Sequence, residues 1–197
     1  MGHDLNYAAL IGSRICHDLI SPIGAINNGL ELIEMSVPSL GPEMALISDS
    51  VASASARIRF FRIAFGAAAD QMIGAQEVTS LLKESYDGGR LMVTWQPIEP
   101  HQRRMIRMTF LALMCLETAM PYGGRIEISH NVAQMSVAGI ADKLKIDDPL
   151  WSALTSGLPQ DELRPAHVQF GLLPLIAQDE GRDLGIDISE QQITIRI

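Results

Sequence analysis

The stretch SRICHDLISPIGAINNGLELI, residues 13–33, decides the predicted fold because its apolar and small residues recur at alternating steps of four and three. This spacing is typical of the seam of a helix that packs in a coiled coil or a helical bundle. His17 lies one residue off the seam, so we expect its side chain to project into solvent from a rigid helix. The seam also extends toward the N-terminus and comprises Leu5, Ala9, Gly12, Cys16, Leu19, Ile23, Ile26, Leu30 and Ile33.

The residues around His17 favour chemistry at its imidazole ring. An exposed imidazole titrates near neutrality and is nucleophilic when it is neutral. The carboxylate of the adjacent Asp18 can orient the ring, accept its proton or stabilise its cation. Pro22 lacks an N–H and its ring crowds the carbonyl of Asp18, so we expect the helix to bend or loosen beside His17. One outward strip of the helix is predicted to collect Arg14, Ser21, Gly24 and Asn28.

A second helix is predicted from about Glu43 to Phe65, after a short turn at Pro38, Gly41 and Pro42. The two helices are expected to form an antiparallel hairpin. A hairpin with an apolar stripe on each helix cannot bury both stripes alone, whereas four helices around a common core can. The stripe of the second helix comprises Met44, Ile47, Val51, Ala54, Ile58, Phe61 and Phe65.

The simplest source of a second helix pair is another copy of the same chain, related by a two-fold axis. We therefore predict that residues 1–69 form a dimerisation hairpin, with the contact made through residues 1–68. The resulting four-helix bundle carries one His17 per protomer on its outside. The alternative is that residues 70–197 cover the seam within one chain.

Residues 70–197 follow a small, polar linker and change to a mixture of helix and strand patterns. Helices on one side of a mixed sheet give an α+β sandwich, which is the fold class that we predict. The predicted strands are residues 91–95, 125–130, 134–139, 183–189 and 192–197, and the predicted helices are residues 77–86, 101–120, 149–157 and 165–181.

The formal net charge of −8 argues against a surface that binds nucleic acid or an anionic membrane, because both need clustered Lys and Arg. No apolar run approaches membrane-spanning length, and the N-terminus has no signal pattern, so we expect a cytoplasmic protein. Cys16 and Cys115 stand far apart without metal-like spacing. The cluster of Arg57, Arg59 and Arg62 is interpreted as a solvated face, with an acidic partner as the alternative.

The string HDLISPI, residues 17–23, is similar to the H-box of sensor histidine kinases. That motif has a phosphoacceptor His, an acidic neighbour, a Ser or Thr at plus four and a Pro at plus five. The longer string RICHDLISPIGAINNGLELIE, residues 14–34, is followed by RIAFGAA at residues 62–68. Together they resemble the ChpT-type histidine phosphotransferases of alphaproteobacteria, which are dimeric and histidine-kinase-like.

The second half resembles the ATP-binding domain of histidine kinases in its element order and in two fragments, PYGGRIEI at 121–128 and FGLLPLIAQDEG at 170–181. The nucleotide-binding residues do not carry over. The helix MTFLALMCLETAMP has no Asn for magnesium, the segment SVAGIAD lacks the Asp that would contact adenine, and only Gly171 stands where a glycine-rich phosphate loop is expected. The resemblance implies a degenerate, kinase-like domain that has lost ATP.

The resemblance implies a phosphotransferase that relays a phosphoryl group between the aspartates of response-regulator receiver domains through a phosphohistidine. His17 and Asp18 would be catalytic, while Arg14, Ile20, Ser21 and Gly24 would dock the receiver. No cofactor or metal of its own is expected, and Mg²⁺ would sit in the receiver. A hybrid histidine kinase would be the donor and cell-cycle regulators the acceptors. The alternatives are an ATP-dependent histidine kinase and a non-catalytic adaptor that binds a receiver.

Overall fold

The computed structural model describes residues 7–35, 41–66, 70–131, 134–156 and 163–197. Within the first helix, some side chains lie outside that description, among them those of His17 and Ile20. Helix α1 spans Tyr7–Met35 and helix α2 spans Gly41–Ala64. The predicted start of the first helix at Asp4 and the predicted turn residue Pro38 lie outside the described residues.

The two helices run antiparallel, since residues later in α1 contact residues earlier in α2. Near one end, Asp18 contacts Arg57, and near the other, Gly29 packs so closely that a Cβ there would lie 2.6 Å from Ile47 Cγ1. The prediction that Gly41 and Pro42 form a turn is wrong, because α2 already begins at Gly41. A proline is tolerated in the first turn of a helix, where its missing N–H has no partner to lose.

The second half consists of shorter elements that alternate between helix and strand. In chain order they are β1 (Met72–Ile73), α3 (Ala75–Tyr86), β2 (Leu91–Trp95), β3 (His101–Gln102), α4 (Arg103–Ala119), β4 (Gly124–His130), β5 (Met135–Ile140), α5 (Asp148–Ser156), a 3-10 helix (Pro165–His167), α6 (Val168–Asp179), β6 (Gly185–Ile188) and β7 (Gln192–Arg196).

Five of the strands form one mixed sheet in the order β2-β4-β5-β7-β6. Strand β2 runs parallel to β4, and the other neighbours are antiparallel. Along β4, β5 and β7 every second residue is buried, so one face of the sheet packs on the core. That core also contains residues of α3, α4, α5 and α6. The predicted α+β class is therefore confirmed.

The predicted helices of the second half differ from the observed ones by a few residues at their ends, and two of these differences have a clear structural cause. The helix predicted from residue 101 begins at Arg103, because His101 and Gln102 pair with β1 as a two-stranded ribbon. The helix predicted over 165–181 starts with the 3-10 turn and ends at Asp179, two residues before Gly181. Gly181 has a φ of 64°, a left-handed conformation that stops an α-helix. In the described part of the chain, no helix combines the length and the apolar character that a membrane span requires.

The C-terminal end of α2 is embedded in the core of the second half. Phe60 and Phe61 are buried there, and Phe65 packs against the same core. Helix α4 also caps the end of α2, because Arg103 donates to the carbonyl of Arg62 over 2.6 Å and Arg107 donates to that of Ala64. At this end of the hairpin, residues of the same chain therefore cover the seam, as the alternative to a second copy predicts.

The described residues of the second half leave the opposite part of the hairpin uncovered. Exposed large apolar side chains on α1 and α2 include Ile23, Leu30, Leu32, Met35, Met44, Leu46, Val51 and Ile58. Several of them belong to the two predicted seams. The second half of the chain thus covers one end of the hairpin and leaves an apolar surface along the rest of it.

Candidate functional site

The candidate site lies on α1, at the level where this helix meets both α2 and the second half. The backbone of His17 is in α1, one residue before Asp18 and four residues before Ser21. The helix continues through Pro22. The predicted exposure of the His17 side chain and the docking position of the Ile20 side chain lie outside the described residues.

The carboxylate of Asp18 is held between two guanidinium groups. Its Oδ2 atom accepts hydrogen bonds from Arg14 Nε and from Arg57 Nη2, each over 3.0 Å. The Asp18 side chain is only 9% exposed. A carboxylate that is shielded from water depends on such charged donors, and charge-assisted bonds of this length are among the strongest in proteins. The acidic neighbour of His17 is therefore fixed from two helices.

Arg14 connects α1 to the second half of the chain. While Nε binds Asp18, Nη1 donates to the carbonyl of Ala166 over 2.8 Å. Ala166 belongs to the 3-10 helix that precedes α6. The Arg14 side chain is 13% exposed, so it departs from the predicted outward strip. Two of its nitrogens already have partners within the chain.

The other described members of the predicted strip lie on the surface. Ser21 and Asn28 are exposed, and a Cβ at Gly24 would meet no atom within 4 Å. Ser21 and Gly24 are spaced as helical neighbours of His17 or of each other, so exposed positions follow His17 along α1. The uncrowded backbone at Gly24 allows a second protein to approach the helix closely at this position.

The sequence-based interpretation of Arg57 as part of a solvated face is wrong. Its guanidinium lies 5.6 Å from the ring centroid of Phe60 and 5.1 Å from that of Phe61, in addition to its bond with Asp18. Helical spacing predicts the contact of Arg57 with these two rings, since residues three and four positions apart lie on the same face of a helix. Arg59 and Arg62 are exposed, and Arg59 pairs with Glu84 of α3.

The remaining described candidates for chemistry do not join this site. Cys115 is buried in α4, and burial raises the pKa of its thiol well above the ordinary value, so the thiol stays protonated. The Cys16 side chain lies outside the described residues. Among the side chains that the structure does describe, no group of three or more His, Cys, Asp or Glu residues is placed to hold a metal ion.

Comparison with known proteins identifies the family. The sequence model of the family described as "Histidine phosphotransferase C-terminal domain" matches residues 75–192. A Brucella abortus (strain 2308) protein named Protein phosphotransferase ChpT is 34% identical over 197 residues, which cover 96% of this chain and 93% of that protein. A solved structure of a bacterial phosphotransferase is 31% identical, with a TM-score of 0.80 over 100% of this chain and 97% of the other. The chain belongs to the histidine phosphotransferase family, as the resemblance of residues 14–34 and 62–68 predicts.

Proposed function

We propose that this protein relays a phosphoryl group between the aspartates of receiver domains, with His17 as the carrier. The observation that supports this assignment most is the anchored carboxylate of Asp18, which directly follows the H-box histidine on a helix with an open surface beyond it. Membership of the histidine phosphotransferase family supports transfer chemistry in general. The direction of transfer and the identity of the receivers are part of the proposal.

In the proposed reaction, a neutral nitrogen of the His17 ring attacks the phosphorus of an aspartyl phosphate. The new N–P bond forms as the bond between phosphorus and the acyl oxygen breaks, and the receiver's carboxylate leaves with the electron pair. Asp18 holds the ring and stabilises the positive charge that develops on it. The second transfer reverses these steps on another receiver, and because phosphohistidine and aspartyl phosphate are both high-energy species, the exchange is near balance.

The protein supplies position and recognition, while the receiver's own Mg²⁺ neutralises charge on the phosphoryl group. We propose that the receiver docks on α1 around Arg14, Ile20, Ser21 and Gly24, with part of α2. The exposed hydroxyl of Ser21 and the open space at Gly24 support this surface. The donor would be the receiver of a hybrid histidine kinase, and the acceptors would be cell-cycle response regulators.

We also propose that the chain works as a homodimer in which two hairpins form a four-helix bundle. The exposed apolar side chains of α1 and α2 support this proposal, because a contiguous apolar surface of this kind marks an association site. Ile23 and Leu30 occupy the same heptad position one heptad apart in the seam of α1, and Val51 and Ile58 do so in the seam of α2. Seam positions are the residues that pack against one another in a bundle.

The function is tested with a purified receiver domain that carries labelled phosphate on its aspartate. We expect the label to appear on the wild-type protein in a form that is stable in alkali and labile in acid, and to pass from there to a second receiver. Labelling from ATP and Mg²⁺ alone would instead identify an ATP-dependent kinase. Stable binding of the receiver without any transferred label would identify a non-catalytic adaptor and refute the proposal.

A further inference from the structure

A chain of alternating charges connects the candidate site to the interior of the second half. Arg57 on α2 donates through Nη2 to Asp18 on α1, and its Nη1 lies 3.9 Å from Oε1 of Glu117 on α4. Different nitrogens of one guanidinium therefore face carboxylates on two different helices. Glu117 and Asp18 are far apart in the sequence, but in space the side chain of Arg57 lies between their two carboxylates.

Arg57 is suited to transmit position because it is held from several sides. The rings of Phe60 and Phe61 pack against its guanidinium, and the planar fork of an arginine loses little freedom when it bridges two carboxylates. Burial alone would lower the pKa of Arg57, but the negative charges of Glu117 and Asp18 raise it above its ordinary value. The Arg57 guanidinium therefore stays protonated.

Glu117 is an unusual residue for its position in α4. It directly follows the apolar run Phe110–Leu116, and its side chain is 14% exposed. Its Oε2 atom and the hydroxyl of Tyr86 are both buried without a hydrogen bond in the described part of the chain. Burial, and next the charge of Glu117, raise the pKa of Tyr86 well above its ordinary value, so the phenol stays neutral beside this carboxylate.

Stability alone is a weak reason for a charged residue here. A buried ion pair contributes little more than apolar packing would, because desolvation of both charges offsets most of their attraction. The Glu117 carboxylate is placed to influence position, since its Oε1 atom lies 3.9 Å from Nη1 of the guanidinium whose Nη2 atom donates to Asp18. The position of Asp18 relative to His17 then depends on a residue that belongs to the second half of the chain.

We propose that Glu117 is a positioning residue for phosphotransfer, which acts through Arg57 on the Asp18 carboxylate beside His17. This inference rests on the proposed function of His17 as the phosphoryl carrier. It gives the second half of the chain a direct role in the reaction at the hairpin. Loss of Glu117 would remove one of the contacts that hold the Arg57 guanidinium, so that Arg57 would position the Asp18 carboxylate less firmly while Arg14 still binds it.

The test compares Glu117→Gln with wild type in single-turnover transfer from a phosphorylated receiver. Gln keeps the size and shape of the side chain and removes the charge. We expect the transfer rate at saturating receiver to fall about tenfold, because small misplacements of a catalytic group have effects of this order. We expect the Kd for the receiver to stay within about twofold, because Glu117 acts on the reacting group rather than on docking.

Two further variants separate positioning from a structural role. Glu84→Gln is the matched control, since Glu84 also joins the second half to α2, through Arg59, and we expect it to transfer at the wild-type rate. The double variant Arg57→Glu with Glu117→Arg keeps a pair between α2 and α4 but places a carboxylate against Asp18. We expect its transfer to remain at or below that of Glu117→Gln. Recovery to the wild-type rate would show that the pair only joins the helices and would overturn the inference.

Labelling of the wild-type protein distinguishes a failure of the proposed phosphotransfer function from a failure of the positioning role of Glu117. If the wild-type protein takes no label from the receiver, the proposed function fails. If wild type is labelled and Glu117→Gln transfers at the same rate, only the positioning role of Glu117 fails. If the double variant does not fold, the comparison of Glu117→Gln with Glu84→Gln decides the question alone.

Discussion

Phe60 of α2 stacks on Phe110 of α4, with ring centroids 4.5 Å apart and ring planes within 3° of parallel. Both side chains are completely buried. This contact attaches the hairpin to the second half close to Arg57, which lies one helical turn before Phe60. The packing of the two halves and the electrostatics of the candidate site therefore depend on the same short section of α2.

Replacing Phe60 with Ala removes one member of this stack and leaves a cavity between the halves. We expect the free energy of unfolding to fall by about 3–5 kcal/mol, as for other buried Phe→Ala changes. Chemical denaturation monitored by circular dichroism measures this loss. The control is Ile98→Ala, because Ile98 is 85% exposed and its truncation is expected to change stability by less than about 0.5 kcal/mol. Equal stability of both variants would contradict the assignment of Phe60 to the core.

Asp18→Asn keeps the side-chain shape and removes the charge that Arg14 and Arg57 share. We expect phosphotransfer to fall by about 10²-fold, because an oriented acid–base group contributes at least this much. Single-turnover labelling from a phosphorylated receiver measures the rate. Asp49→Asn on the exposed side of α2 is the control and should leave the rate unchanged. A rate for Asp18→Asn within about twofold of wild type would exclude a catalytic role for this carboxylate.

Replacing Leu30 or Val51 with Glu puts a charge on the exposed apolar surface of the hairpin. We expect either change to convert a dimer into a monomer, because an unpaired charge cannot be buried in a helical bundle. Analytical ultracentrifugation measures the mass. Ile98→Glu is the control, since this residue is exposed on a loop of the second half. A wild-type protein that sediments as a monomer at every concentration would contradict the dimer proposal.

We expect the protein to lose stability in mild acid because of two histidines of the second half, His101 and His167. Burial lowers the pKa of His101, as does the nearby His130, and burial also lowers the pKa of His167 below the ordinary 6.5. The unfolded chain therefore binds protons that the folded chain does not, and the free energy of unfolding falls as pH drops below about 6.5.

Denaturation midpoints at about pH 7.5 and about pH 5.5 measure this effect. The double variant His101→Gln with His167→Gln lacks both groups, so its midpoint should change less between the two pH values than that of wild type. His130→Gln is not a neutral control, because His130 contributes to the shift at His101. An equal pH dependence in wild type and the double variant would show that other groups account for the acid sensitivity.

The sequence predicts those parts of the fold that depend on regular periodicity. Strand β2 begins and ends at the predicted residues Leu91 and Trp95, because its alternating pattern is bounded by Gly89 and Pro97. Strands β1 and β3 were not predicted, since two residues each are too few to show a period. Their pairing arises from tertiary contact between distant segments.

The contacts of Asp18 with residues distant in the sequence cannot be predicted from the sequence pattern. The H-box string identifies His17 and Asp18, but the bond between Asp18 and Arg57 joins residues 39 positions apart. One seam is predicted for α2, whereas in the structure Phe60, which lies outside that seam, is also buried in the core of the second half. A single heptad pattern does not show that a helix packs on two sides, so it does not predict the bond between Arg57 and Asp18.

The most direct test of the central claim is the transfer of label from a phosphorylated receiver to wild type, His17→Gln and His130→Gln, followed side by side. His130 is exposed on β4 and serves as the matched control. We expect an alkali-stable, acid-labile label on wild type and on His130→Gln, and none on His17→Gln. Labelling of His17→Gln at the wild-type level would contradict the account.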